Sequence, residues 1–139
     1  MHSFALKKIE AIKGGQIFYS LVKNDCCTLS HFENELEEKY KSEFRSIIAY
    51  MDLVANGQSL PSNKFKDITP VKSDIKEYEF KSKHLRIYCI HLKKTGKIVA
   101  CCGYKNQQKN DIKKFRSTKN IFVNELEKIE YETERIIKK

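Results

Sequence analysis

Residues 77–109, EYEFKSKHLRIYCIHLKKTGKIVACCGYKNQQK, predict three strands followed by a basic, amide-rich exit. Tyr78 and Phe80 alternate with charged residues, and this period of two is typical of a half-buried strand. In the next strand, residues 85, 87 and 89 share one face while residues 86, 88 and 90 share the other. Lys93-Lys94-Thr95-Gly96 predicts a hairpin connection, because Gly96 can adopt a positive φ. The last strand, which follows it, is apolar and rich in β-branched residues.

Length and composition favour one domain with its own hydrophobic core. The chain has 139 residues, which is enough to bury a core without metal or disulfide staples. It contains no apolar run of about 18 residues, and its first ten residues lack a signal-peptide core, so we expect a cytoplasmic protein with no membrane contact. The five cysteines form no CxxC pair, which favours reduced thiols and gives no support to a zinc site.

The positive charge is concentrated in one part of the chain. Residues 57–119 carry 16 Lys and Arg against 5 Asp and Glu, whereas the segments before and after them are almost balanced. A basic region between two segments of nearly zero net charge is typical of a polyanion-binding face. The alternative is that these lysines only keep a small domain soluble.

Two further elements precede the three strands. Residues 4–12 and 16–22 predict a hairpin joined at Lys13-Gly14-Gly15. Apolar residues at steps of three and four then predict one helix over residues 29–55, with a capping box at Ser30 and Glu33 and a stop at Asn56-Gly57.

The remaining segments are a loop and a last helix. Residues 58–75 show little periodicity and read as a long loop, in which Lys64 and Lys66 point the same way and Phe65 points inward. Residues 111–139 predict a second helix, and its turns after about residue 131 are expected to fray.

This order of elements resembles the RelE/HigB superfamily of toxins from bacterial type II toxin–antitoxin systems. The resemblance rests on a helix, the basic loop LPSNKFKDI, the hairpin KHLRIYCIHLKKTGKIVACC and the exit GYKNQQKNDIKKFR. It implies a single RelE-like domain over residues 1–139, of class α+β, with a small antiparallel-rich sheet and flanking helices. It also implies a ribosome-dependent, metal-free endoribonuclease without cofactor, whose partners are mRNA, the ribosome and a cognate antitoxin of helix-turn-helix type.

The resemblance and the basic exit together single out a set of site residues. Lys64 and Lys66 match the family's loop lysines, Arg86 its hairpin arginine and Lys105 the basic residue after the last strand. The residues expected in catalysis are Arg86, Lys105, Lys64, Lys66, Arg116 and Tyr104. The residues expected to contact RNA are Lys81, Lys83, Tyr88, Asn106, Gln107, Gln108 and Lys109. No metal ligands are expected.

Two questions stay open at the level of sequence. The proton-transfer residue is not fixed by a motif, and Tyr104, Tyr88, His84 and His91 are the candidates. The function is also open, because a non-cleaving relative, either a gyrase inhibitor of the ParE type or an inactive RNA-binding protein, would share much of the pattern. Arg86 is expected to be an exposed, preorganised fork for phosphate, so that its removal would abolish cleavage with little effect on stability.

Overall fold

The computed structural model describes residues 3–126, which form a seven-stranded sheet with helices on both faces. The strands are β1 (Phe4–Lys8), β2 (Phe18–Lys23), β3 (Cys26–Cys27), β4 (Phe65–Asp67), β5 (Lys76–Lys81), β6 (Leu85–Leu92) and β7 (Gly96–Tyr104). The helices are α1 (Thr28–Glu35), α2 (Lys41–Ala55) and α3 (Gln108–Asn124), with short 3₁₀ helices at Glu38–Tyr40 and Lys105–Gln107. The predicted α+β class, with a sheet flanked by helices, is confirmed. Predictions for residues 127–139, including fraying after residue 131, lie outside the described residues.

The strand order is β1-β2-β7-β6-β5-β4, and β3 pairs with the far end of β2. Every pair is antiparallel except β2 with β7. The predicted β6–β7 hairpin is present, and Gly96 has a φ of 122°. A Cβ on Gly96 would lie 2.3 Å from the carbonyl oxygen of Ile17, so this position excludes side chains for two reasons.

The N-terminal hairpin is shorter than its predicted extent. β1 ends at Lys8, and Ile9 and Ile12 are buried in the core against α2. The connection is tied to the end of that helix, because the carboxylate of Asp52 accepts hydrogen bonds from the backbone N–H groups of Lys13 (2.8 Å) and Gly14 (3.0 Å). Packing against α2 therefore replaces strand pairing in this segment.

The helix predicted over residues 29–55 is wrong as a single element. α1 ends at Glu35, and Leu36 and Glu37 are extended, with ψ of 136° and 145°. The apolar spacing continues across this break, so the period alone does not reveal it. Leu36 is buried in the core at the corner between the two helices.

The two ends of this helical region differ in how well they were predicted. The capping box is wrong, because α1 begins at Thr28 and the N–H of Leu29 instead donates to the Ser20 hydroxyl on β2 at 3.0 Å. The Asn56-Gly57 stop is confirmed: Gly57 has a φ of 82°, and the N–H groups of Gly57 and Gln58 donate to Val54 O and Leu53 O. These bonds form a Schellman motif.

The sheet has a buried core on each face. Leu85, Ile87 and Cys89 pack on the face covered by α1 and α2, whereas Tyr88 and Ile90 pack on the face covered by α3. The predicted alternation of β6 is confirmed, including the buried thiol of Cys89. Both of its faces are covered, however, so the expectation of one exposed face is wrong.

The predicted loop over residues 58–75 contains the edge strand β4. Phe65 points inward as expected, with ring centroids 4.5 Å from Phe80 and 4.9 Å from Tyr78. Within residues 3–126, no helix has the length and apolar character needed to cross a bilayer.

Candidate functional site

The ends of four strands meet at one end of the sheet, and the structure gathers about half of the predicted site residues there. Arg86 is in register with Lys81 on β5 and with Gly103 on β7. The N–H of Lys81 donates to Lys64 O at 2.8 Å, and the N–H of Lys105 donates to His84 O at 2.7 Å. We call this region the basic end; its residues are Lys64, Lys81, Lys83, His84, Arg86, Tyr104 and Lys105.

The exit after β7 is mostly open to solvent, as expected for a binding segment. The residues exposed there are Lys105, Asn106, Gln107 and Lys109. Gln108 is different, because its side-chain amide donates to the buried carboxylate of Glu79 at 2.5 Å. Gln108 therefore joins α3 to β5, and its amide is already engaged within the protein.

Arg86 is buried, and the prediction of an exposed fork is wrong. Its residue is 7% exposed, and Nη1 donates to the carbonyl oxygens of Ser82 (2.6 Å) and Leu85 (2.7 Å). These two carbonyls flank the β5–β6 turn. The guanidinium therefore holds the shape of that turn from the side of the sheet that α3 covers.

We expect Arg86→Ala to lower the free energy of unfolding by about 1–3 kcal/mol, because the Ser82 carbonyl loses the guanidinium donor and the Leu85 carbonyl keeps only the bond from the Ser82 N–H. Lys83→Ala, on the same turn but exposed, should change it by no more than about 0.5 kcal/mol. Urea denaturation of the two variants beside the wild type measures the difference. Equal, negligible losses in both would mean that Arg86 does not hold the turn.

Tyr88 and Arg116 do not belong to the exposed basic end. Tyr88 is fully buried and packs on Phe115, with ring centroids 5.6 Å apart. Burial raises the pKa of its phenol strongly, and the nearby carboxylates of Glu79 and Asp111 raise it further. The prediction that Tyr88 contacts RNA is therefore wrong. Burial also weakens Tyr88 as a proton-transfer candidate.

Arg116 is engaged elsewhere on the α3 face. Its Nε donates to the carboxylate of Glu77 at 3.0 Å, and Nη2 donates to Ile68 O at 3.0 Å. Glu77 lies four residues before Lys81 on β5, which is about 13 Å along the strand. The structure therefore does not bring Arg116 to the other predicted catalytic residues.

The two loop lysines do not point the same way. Lys66 is opposite Glu79 in the β4–β5 register, on the face that α3 covers. Lys64 lies before the strand, and its Nζ stands 5.2 Å from the ring centroid of Tyr50 on α2. Their shared direction is thus a wrong prediction, because Lys64 precedes the regular strand geometry.

A side-chain pair at the basic end joins His84 to Glu43 of α2. Nδ1 of His84 lies 2.7 Å from one carboxylate oxygen of Glu43. The other oxygen accepts bonds from the His84 backbone N–H (2.8 Å) and the Ser82 hydroxyl (2.6 Å). With the proton of Nδ1 directed to the carboxylate, Nε2 is left to accept or deliver a proton.

Glu43 is well suited to orient the imidazole. Burial by itself would raise the pKa of this carboxyl, but the hydrogen bonds from Ser82 and His84 outweigh it and lower the pKa. Glu43 therefore stays ionised at neutral pH beside a ring whose side chain is 45% exposed. Glu43 is the functional candidate that sequence reasoning missed, since 41 residues separate it from His84 and no motif spans that distance.

Aromatic rings surround the pair. The ring of Tyr40 lies 5.1 Å from His84 and 5.4 Å from Tyr104, between centroids. Lys83 and Lys105 are exposed beside them. The basic end thus combines an oriented imidazole, two half-buried phenols and exposed ammonium groups, which is chemistry suited to moving a proton near a bound phosphate.

A second polar cluster lies beneath this surface, on the α3 face. Arg86 Nε, the Tyr88 hydroxyl and Asp111 Oδ2 are buried there and have no hydrogen-bond partner within the described part of the chain, residues 3–126. Burial raises the pKa of the Asp111 carboxyl, and the charge of Lys114 offsets part of this effect. Gly103 has no room for a side chain, because a Cβ would lie 1.8 Å from Asp111 Oδ2.

Within residues 3–126, no three His, Cys, Asp or Glu side chains lie close enough together to hold a metal ion. Comparison of the chain with protein-family models, curated proteins and solved structures found no match. The candidate site is therefore defined by the geometry and chemistry of its own residues.

Proposed function

We propose that this chain is a ribosome-dependent, metal-free endoribonuclease that cleaves mRNA and arrests growth, a toxin of RelE/HigB type. The observation that carries the proposal is the His84–Glu43 pair, which lies between the exposed lysines of the basic end. It supplies an oriented proton-transfer group at the edge of the sheet where the resemblance implies an active site. The concentration of positive charge in residues 57–119 supports a polyanionic substrate.

The proposed reaction needs only groups present in the chain and in RNA. Nε2 of His84 accepts the proton of a ribose 2′-OH while that oxygen bonds to the adjacent phosphorus. The bond from phosphorus to the 5′ oxygen breaks, a 2′,3′-cyclic phosphate forms, and the leaving oxygen takes a proton from water. Lys83 and Lys105 stabilise the negative charge that develops on the phosphate oxygens.

Arg86 has a different role in this proposal from the one its strand position suggested. The turn that carries His84 is held by Glu43 on one face of the sheet and by Nη1 of Arg86 on the other. Arg86 is thus a positioning residue for the imidazole. A cognate antitoxin of helix-turn-helix type and a cytoplasmic location belong to the same proposal.

A non-cleaving relative, which binds RNA or gyrase, is the second candidate. The observation that favours it is the burial of Arg86 and Tyr88, since two of the side chains expected to meet the substrate do not reach the surface.

Cleavage is tested by translating a defined message in vitro with the purified chain and mapping new 5′ ends by primer extension. We expect cuts that appear only when the message is translated, and upstream fragments that end in a 2′,3′-cyclic phosphate. Expression of the chain alone should also stop growth, and co-expression of its antitoxin should restore it. An intact message in the presence of folded protein would contradict the nuclease and leave the non-cleaving candidate.

A further inference from the structure

Three aromatic side chains from separate elements meet at the surface of the basic end. Tyr40 closes the 3₁₀ helix before α2, His84 lies in the β5–β6 turn and Tyr104 ends β7. All three are half-buried, and the phenols of Tyr40 and Tyr104 make no hydrogen bond to any of residues 3–126. Tyr40 and Tyr104 also pack against the hydrophobic core beneath them.

We propose that these three rings form a stacking platform for an unpaired base of single-stranded RNA. The proposal rests on the proposed function, because it places the base beside the imidazole that would act on the neighbouring ribose. Tyr40 packs edge-on against Tyr104 at an interplanar angle of 67° and is tilted by 52° to His84. Behind them Phe32 packs against Tyr104, with centroids 6.1 Å apart, so the rings are held in place before any base arrives.

The charges around the platform indicate how a strand would run. Lys83 and Lys105 are exposed on the side of the strand ends, and Nζ of Lys39 lies 5.1 Å from the ring centroid of Tyr40. Glu37 and Glu38 are exposed in the segment just before Tyr40, away in sequence from Lys83 and Lys105. Phosphates are therefore expected to follow Lys83 and Lys105, with a base turned toward Tyr40.

Single-stranded RNA is the ligand that this combination fits. Bases in a duplex are already stacked on one another, so side chains reach base faces only in loops, bulges and unpaired strands. Stacking depends on the π-face and tolerates any base, so the platform should favour unpaired RNA over duplex without a strict sequence requirement. The free phenols are placed to add a hydrogen bond to a base edge or a phosphate.

The test uses a single-stranded oligonucleotide with 2′-O-methyl riboses, which cannot be cleaved, and one 2-aminopurine whose fluorescence falls on stacking. We expect wild-type protein to quench it. Tyr40→Leu and Tyr104→Leu should each weaken binding by about 5- to 140-fold and remove the quenching. Tyr40→Phe should keep the quenching because it keeps the ring.

Tyr50→Leu is the matched control, since Tyr50 is a half-buried tyrosine ten residues further along the same helical region. Circular dichroism shows which variants fold, and the wild-type comparison of single-stranded with duplex probe needs no variant at all. Equal quenching of both probes, or quenching that survives in folded Tyr40→Leu, would overturn the platform. If wild-type protein quenches the probe but does not cut natural RNA, the result would support the stacking platform and contradict the proposed cleavage.

Discussion

His84→Ala should reduce RNA cleavage by about 10²- to 10⁴-fold, the range for loss of a positioned proton-transfer group. Imidazole is the side chain that most often moves protons in catalysis. Glu43 fixes the orientation of His84 through Nδ1 at 2.7 Å, so Nε2 is the ring nitrogen left to accept a proton. The side chain is 45% exposed, and its loss should leave the fold intact.

Primer extension on a translated message measures this effect, and His91→Ala is its control. His91 lies near the far end of β6, the strand that follows His84, and it is half-buried. Its Nδ1 has no hydrogen-bond partner among residues 3–126. Its replacement should leave cleavage within a few-fold of wild type. Glu43→Gln should reduce cleavage, because the imidazole loses the carboxylate that orients it through Nδ1. Undiminished cleavage by folded His84→Ala would remove this histidine from the mechanism.

The second large effect concerns stability and the buried carboxylate of Glu77. Glu77 is 1% exposed, and its two oxygens accept bonds from Lys119 Nζ at 2.6 Å and Arg116 Nε at 3.0 Å. Lys119 is also buried, and it donates to Ser73 and to the carbonyl of Ile75. Glu77→Ala would leave that ammonium buried without its counter-ion, so we expect a loss of about 3–5 kcal/mol in the free energy of unfolding.

Denaturant titration measures this loss of stability. Two further variants show whether the unpaired buried charge is its cause. Lys76→Gln removes the neighbouring pair with Asp67, whose side chains are 58% and 47% exposed, and should cost no more than about 1 kcal/mol. The double variant Glu77→Leu/Lys119→Met replaces both buried charges with apolar groups and should recover most of the stability. A double variant as unstable as Glu77→Ala would show that the loss comes from packing and not from the unpaired charge.

The stretches with strong local signals were predicted correctly. The alternation in β6, the turn at Gly96 and the helix stop at Asn56-Gly57 are properties of a few neighbouring residues, and each has its expected structure. Local periodicity and turn chemistry are sufficient for such features, because the interactions that produce them span only a few residues.

Exposure was decided by the tertiary structure. Alternation assigns Arg86 and Tyr88 to one face of β6, but only the packing of α3 determines that this face is covered. The break at Leu36 and the cap of α1 by Ser20 likewise depend on contacts with other elements. A periodic pattern carries no information about which other element lies above it.

In the candidate site, too, some features could be predicted from the sequence and others only from the tertiary structure. The sequence by itself determined that the basic residues concentrate around β5–β7 and that His84 lies in a turn among them. Only the tertiary structure brought Glu43 to that histidine, Tyr40 beside it and Arg86 beneath the turn. These partners come from elements far apart in the chain, and their contacts follow from helix–sheet packing, which no local spacing encodes.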